Sequence, residues 1–175
     1  NTYQATYDAT MWSGDVIASR VNKLTSDDSL DLTTLWSAAK ILNTTAPSTR
    51  KIITVAPKDK ANEKPAVAEL FGTPFQWDSL SDAMKLSLSK TTGAPTGDEA
   101  DGKRILNYLR GDRTYESTAA VSNLYRQRAS LLGDIVDSKV VYMGKPSASY
   151  SESYNPGYTR FKSDKSSRLP LIFVG

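Results

Sequence analysis

The chain has 175 residues, of which 39% are apolar and 23% charged, with a formal charge of +3; this is enough for a globular core and too mixed in sign for a phosphate-tracking surface, so neither general disorder nor nucleic-acid binding is expected. The absence of histidine and of cysteine excludes the usual general base, thiolate nucleophiles, disulfides and tetrahedral thiolate zinc sites. Ser-Lys or paired-carboxylate chemistry remains open to an enzyme, and no spacing points to either.

No apolar run reaches the roughly 20 residues of a membrane-spanning helix. Residues Asn1 to Thr10 carry neither a charged start nor an apolar stretch, so no signal peptide is expected in them. Residues 9–21 read as two short strands, or one strand bent around Ser13-Gly14-Asp15. Residues 25–43 read as a loop and then a helix capped by Asp31 or Thr33, with Leu32, Leu35, Trp36, Ala39 and Leu42 at helical spacing. A short strand follows at 50–57, ended by Pro57, and then a solvated loop. Residues 65–72 read as a helical turn closed by Gly72, and Leu80, Met84 and Leu88 as the stripe of a helix capped by Asp78 or Ser79.

A polar loop leads to a short helix over 101–111, capped by Asp101 and closed by Gly111 in the left-handed conformation. Residues 122–133 continue as helix or loop. Residues 134–146, β-branched and aromatic, read as the strongest strand. A Tyr-rich loop turning at Asn155-Pro156-Gly157 separates it from a final strand in Leu169–Gly175.

Four groups of residues invite a functional reading. Arg110-Gly111-Asp112 is either the turn that ends a helix or an exposed tip whose splayed Arg and Asp meet a receptor, the carboxylate completing a receptor metal site. Asp98, Glu99 and Asp101 lie within four residues and are either a calcium loop or a helix N-terminus; their spacing departs from the D-x-D-x-D-G pattern with its distal Glu. Trp12, Trp36, Phe71, Phe75, Trp77 and Phe161 are expected in the core, and Tyr150, Tyr154 and Tyr158 in packing or a sugar-stacking platform. Arg126, Arg128 and Asp134 are expected to form an ion network under the Gly133-Asp134 turn.

The order of these pieces carries more than any one of them. "MWSGDVIA", "LWSAAKIL", "RKIITV", "FQWDSL", "ILNYLRGDRTYE", "YRQRASLLGDIVDSKVVYMGKP", "YTRFK" and "RLPLIFVG" follow one another along essentially the whole chain. This succession resembles the PilY/PilC family of type IV pilus tip adhesins and assembly factors, most specifically in "YLRGDRTYE" and "RQRASLLGDIVDSKVVYMGKP".

The resemblance implies a mixed β fold with helical insertions. It would be part of a modified β-propeller at the start of the family's C-terminal region, not a closed ring. Residues 1–175 would form a single fragment of a larger propeller-type domain with no internal boundary. The absence of an initial Met and the apolar final run fit that expectation.

The resemblance further implies a non-enzymatic protein at the cell surface or pilus tip, outer-membrane associated, supporting attachment, pilus assembly and twitching motility. Its partners would be minor pilins or other tip subunits, the remainder of the same polypeptide and a host receptor. Some members bind integrin through an RGD and calcium through an EF-hand-like loop. Carried over, Arg110, Gly111 and Asp112 become receptor-binding candidates, and Asp98, Glu99 and Asp101 calcium candidates. Two alternatives stay open: a structural subdomain without receptor contact, and a hydrolase with two carboxylates about 5–10 Å apart in one cleft.

Overall fold

The computed structural model describes residues 1–57, 70–91 and 96–175. The expected loop at 58–65 and the first part of the turn at 65–72 lie outside them. The described chain is mixed strand and helix, with three small antiparallel sheets, none of them closed. It forms two compact units: residues 1–43 with 132–175, and residues 44–131. Among the described residues no helix is long and apolar enough to cross a membrane.

The first unit is built on strands β1 (Thr2–Asp8), β2 (Ser13–Leu24) and β3 (Leu30–Ser37), paired in that order. Strand β1 was not expected, although Tyr3, Ala5 and Tyr7 alternate with Thr2, Gln4 and Thr6 in the two-residue rhythm of a sheet. In β2 the same rhythm buries Gly14, Val16 and Ala18 on one face. From Arg20 onward β2 is exposed, and it pairs with β3 out to Leu24 opposite Leu30, with register shifts after Ala18 and Val21.

Strand β3 corrects the expected long helix. Helix α1 covers only Ala38–Thr44. Leu32 and Trp36 fit both periods, and cross-strand pairing to β2 decides for the strand. The start of α1 is held from the neighbouring strand: the Asp15 carboxylate accepts from Ala39 N (2.9 Å) and from the Ser37 hydroxyl (2.6 Å), while Ser37 Oγ accepts from Lys40 N. The Gly-Asp of "WSGD" thus anchors a helix rather than turning the chain.

Further along, β6 (Val141–Met143) pairs with β7 (Leu171–Phe173). The expected long strand over 134–146 shrinks to three residues. The Tyr-rich segment holds an unexpected helix, α4 (Tyr158–Asp164), after Gly157 at φ 87°. Glu152 accepts from the amides of Gly157 (2.5 Å) and Thr159 (2.9 Å) at its start. Tyr158 packs edge-on against Tyr150, while Tyr154 stays exposed.

The second unit contains β4 (Ile53–Pro57) paired with β5 (Leu70–Pro74), and helices α2 (Asp82–Ser89) and α3 (Glu99–Leu109), packed on each other. Leu70–Gly72 is therefore strand, not the end of a helical turn. Helix α2 starts one turn later than expected: Ser81 caps it by accepting from Met84 N, and Trp77–Ser79 forms a separate short turn. Residues 122–131 are irregular, joined to the chain before them by an isolated bridge of Glu116 to Tyr125.

The core is small: Val16, Ala18 and Ile135 in the first unit, and Leu80, Ile105, Leu106 and Tyr125 in the second. The aromatic residues expected inside are mostly not there. Trp12 is 69% exposed, Phe71 and Phe161 are exposed, and Trp36, Phe75 and Trp77 are half-buried. On the two-stranded sheet, Val141 lies opposite Phe173 and Met143 opposite Leu171, forming one exposed apolar face.

Candidate functional site

The Arg-Gly-Asp tripeptide ends helix α3. Arg110 is the last half-turn, its amide bonded to Leu106 O, and Gly111 follows at φ +105°, the left-handed position that a side chain resists. A Cβ at Gly111 would overlap the Arg50 guanidinium, so glycine is required there on two counts.

Arg110 lies in the interior, 6% exposed. Its Nη1 donates to Phe75 O (2.6 Å) and its Nη2 to Pro47 O (3.0 Å) and Arg50 O (3.5 Å). Arg50 returns the contact, donating to Arg110 O (2.9 Å) and Thr45 O (2.9 Å). Each arginine therefore satisfies the other's backbone carbonyl.

Arg128 completes the bracing from the other side. Its Nη1 donates to Tyr108 O (2.7 Å), its Nη2 to Asp112 O (2.8 Å), and its Nε to the Glu116 carboxylate (2.5 Å); the guanidinium lies 3.8 Å from the centre of the Tyr108 ring. The carboxylate partner of Arg128 is the buried Glu116, which also takes Arg113, and not the expected Asp134. Carbonyls at a helix C-terminus carry partial negative charge and lack helical partners, so guanidinium forks are suited to them.

Only Asp112 of the tripeptide is near the surface. It is half-buried, and its Oδ1 accepts from the Thr114 amide (2.8 Å) and hydroxyl (2.6 Å). The Thr114 hydroxyl, then its amide, hold the Asp112 carboxyl below the ordinary aspartate value of 3.8, with Arg128 adding to the effect. The splayed tip that receptor contact requires is not the conformation found: the cation points inward and the carboxylate bonds its own turn.

The acidic stretch begins the same helix. Asp98, not Asp101, is the cap and accepts from Asp101 N (2.9 Å). Asp101 is fully buried; its Oδ2 accepts from Thr96 N (2.5 Å), Thr96 Oγ1 (2.8 Å) and Gly97 N (2.6 Å), and its Oδ1 pairs with Arg104. Glu99 pairs with Lys103 at 2.6 Å. Calcium needs several oxygens converging on one point. Here each acid meets a protein donor of its own, and no group of three acidic residues among those described is placed to hold a metal. Asp98, Glu99 and Asp101 do not fit a calcium cage.

Two further glycines sit where backbone must approach closely. At Gly14 a Cβ would run into Gly133 O, with Ile135 N and Cγ1 at 3.0 Å, and Gly14 N donates to Leu132 O (3.4 Å). The "WSGD" and "LLGD" segments, far apart in sequence, meet where Gly14 approaches Gly133. At Gly102 a Cβ would stand 2.5 Å from Trp77 Cη2 and 2.6 Å from Ser89 Oγ.

The chain is 31% identical over 178 residues to the type IV pilus biogenesis factor PilY1 homolog of Xylella fastidiosa (strain Temecula1), a match covering 99% of this chain and 12% of that relative. The chain belongs to the PilY1 family. It is also 30% identical over 174 residues to the type IV pilus biogenesis factor PilY1 of Pseudomonas aeruginosa strain PAK, and 26% identical over 170 residues to that of strain UCBPP-PA14, covering 94% of this chain and 13% of each relative. This PilY1-family chain thus spans about an eighth of the length of the curated relatives it matches. No family model and no solved structure matches it.

Proposed function

We propose that this chain works as a non-enzymatic segment of a type IV pilus biogenesis factor at the cell surface, and that its Arg-Gly-Asp turn is an internal brace. The observation that carries the pilus reading is similarity to named pilus biogenesis factors along 94–99% of the chain. Pilus-tip location, attachment, twitching motility and contact with minor pilins belong to the same proposal. So does membership of a modified β-propeller: small open sheets with exposed apolar faces, such as that of Val141 and Phe173, suit a piece whose sheets are completed by the rest of a longer polypeptide.

The brace reading rests on the inward-facing Arg110. A receptor-facing tripeptide would have to give up the Arg110 bonds to three carbonyls, each charge-assisted bond contributing about 1.5–3 kcal/mol. Arg110→Lys separates the two uses, because a single ammonium cannot reproduce a fork spread over Phe75 O and Pro47 O. The purified variant is expected to lose about 3 kcal/mol of stability. The same change in the full-length protein should reduce surface pili and twitching together, in step with the amount of folded protein. Lost attachment at an unchanged melting temperature would instead make the tripeptide a receptor ligand.

A further inference from the structure

Beside the brace, within the second unit, lies a cleft of about 580 Å³ that the bracing does not fill. Its wall includes Ser48, Gln76, Trp77, Lys103, Asn107 and Asp112. The volume is that of an ordinary small-molecule site.

The charges narrow what can enter. Lys103 is paired with Glu99 at 2.6 Å and lies 5.8 Å from the centre of the Trp77 ring. Arg110 spends its guanidinium on carbonyls. Neither cation is available to neutralise an anion, and Asp112 would repel one. A cation would find a single carboxylate with Lys103 close by.

The hydrogen-bonding groups narrow it further. Among the described residues, the side-chain amides of Gln76 and Asn107 and the Ser48 hydroxyl have no protein partner. Two amides and a hydroxyl on the same wall as a half-buried indole and the Asp112 carboxylate offer both donors and acceptors beside an aromatic ring. A ligand with several hydroxyls and an apolar C–H face matches that wall.

We propose that this cleft binds a neutral saccharide, with Trp77 as the platform and Gln76, Asn107 and Asp112 as its hydrogen-bonding groups. A peptide is the poorer fit, because extended peptides are held by a run of backbone donors and acceptors at a sheet edge, whereas the groups here are side chains on the wall of one cleft. The proposal goes beyond the pilus reading and does not depend on it; failure to bind sugar would leave that reading intact.

The test is calorimetric and fluorescence titration of the purified chain with glucose, galactose, mannose and N-acetylglucosamine, and with a proline-rich decapeptide. At least one sugar is expected to bind saturably with a Kd on the order of millimolar. Trp77→Phe should abolish the fluorescence response and weaken the heat signal about tenfold, while Trp12→Phe changes neither. Asn107→Ala and Gln76→Ala, both at exposed side chains, should weaken binding about threefold or more at unchanged melting temperature. The proposal is overturned if no sugar binds at about 50 mM, if binding survives the Asn107 and Gln76 changes intact, or if only the peptide binds.

Discussion

Arg110 and Asp112 are two residues apart and have opposite environments. Arg110 is held by carbonyls 35 and 63 positions away in sequence, Asp112 by Thr114 two positions away. The first is therefore invisible in any local pattern, and the second is ordinary turn chemistry. Asp112 also sets a pH dependence. Its folded-state pKa is lowered, so the stabilisation is present above the ordinary value of 3.8 and is lost as pH falls through the lower folded value. Melting temperature followed from neutral pH down to about pH 2 should fall more steeply for the parent than for Asp112→Asn, which no longer titrates. Parallel curves would show that the carboxylate makes no net contribution.

Among the elements, the clearest lesson lies in residues 30–44. Leu30, Leu32 and Trp36 fit a strand, while Leu32, Leu35, Trp36 and Ala39 fit a helix, and the chain divides the stretch between β3 and α1 at Ser37. Pairing with β2 and the Asp15 clamp on the helix start decide the boundary, and both come from residues about 20 positions earlier. The end of α3 at Gly111 was legible because the left-handed glycine is a local rule. The close approach of Gly14 to Gly133 was not, and it gives a sharp contrast. Gly14→Ala should destabilise the protein by about 2 kcal/mol through collision with backbone. Gly133→Ala, with nothing within 4 Å of the added methyl, should stay within about 0.5 kcal/mol. Equal effects in thermal melts would remove the claim that these segments are in tight contact.

At the scale of the whole molecule, two units with small cores leave many large apolar side chains exposed. The aromatic residues were expected inside because size and hydrophobicity favour burial; Trp12 instead stands exposed in the turn between β1 and β2, and Phe71 is exposed on β5. Calcium offers a test on the intact chain. A ligand that binds only the folded state raises the melting temperature by mass action. With Asp101 enclosed by Thr96, Gly97 and Arg104, millimolar calcium is expected to leave the melt unchanged. A clear rise would require a carboxylate cage that the described residues do not form.

What could be read from the residues in order was whatever depends on near neighbours or on composition: the missing histidine and cysteine, the strand before Pro57, the glycine that closes α3, and a long motif succession that resembles one family. Only the tertiary structure decided where the side chains of Arg50, Arg110 and Arg128 point and whether three acids share one centre. Those outcomes depend on carbonyls and amides brought together from distant parts of the chain, and a charged side chain goes where its desolvation is best compensated.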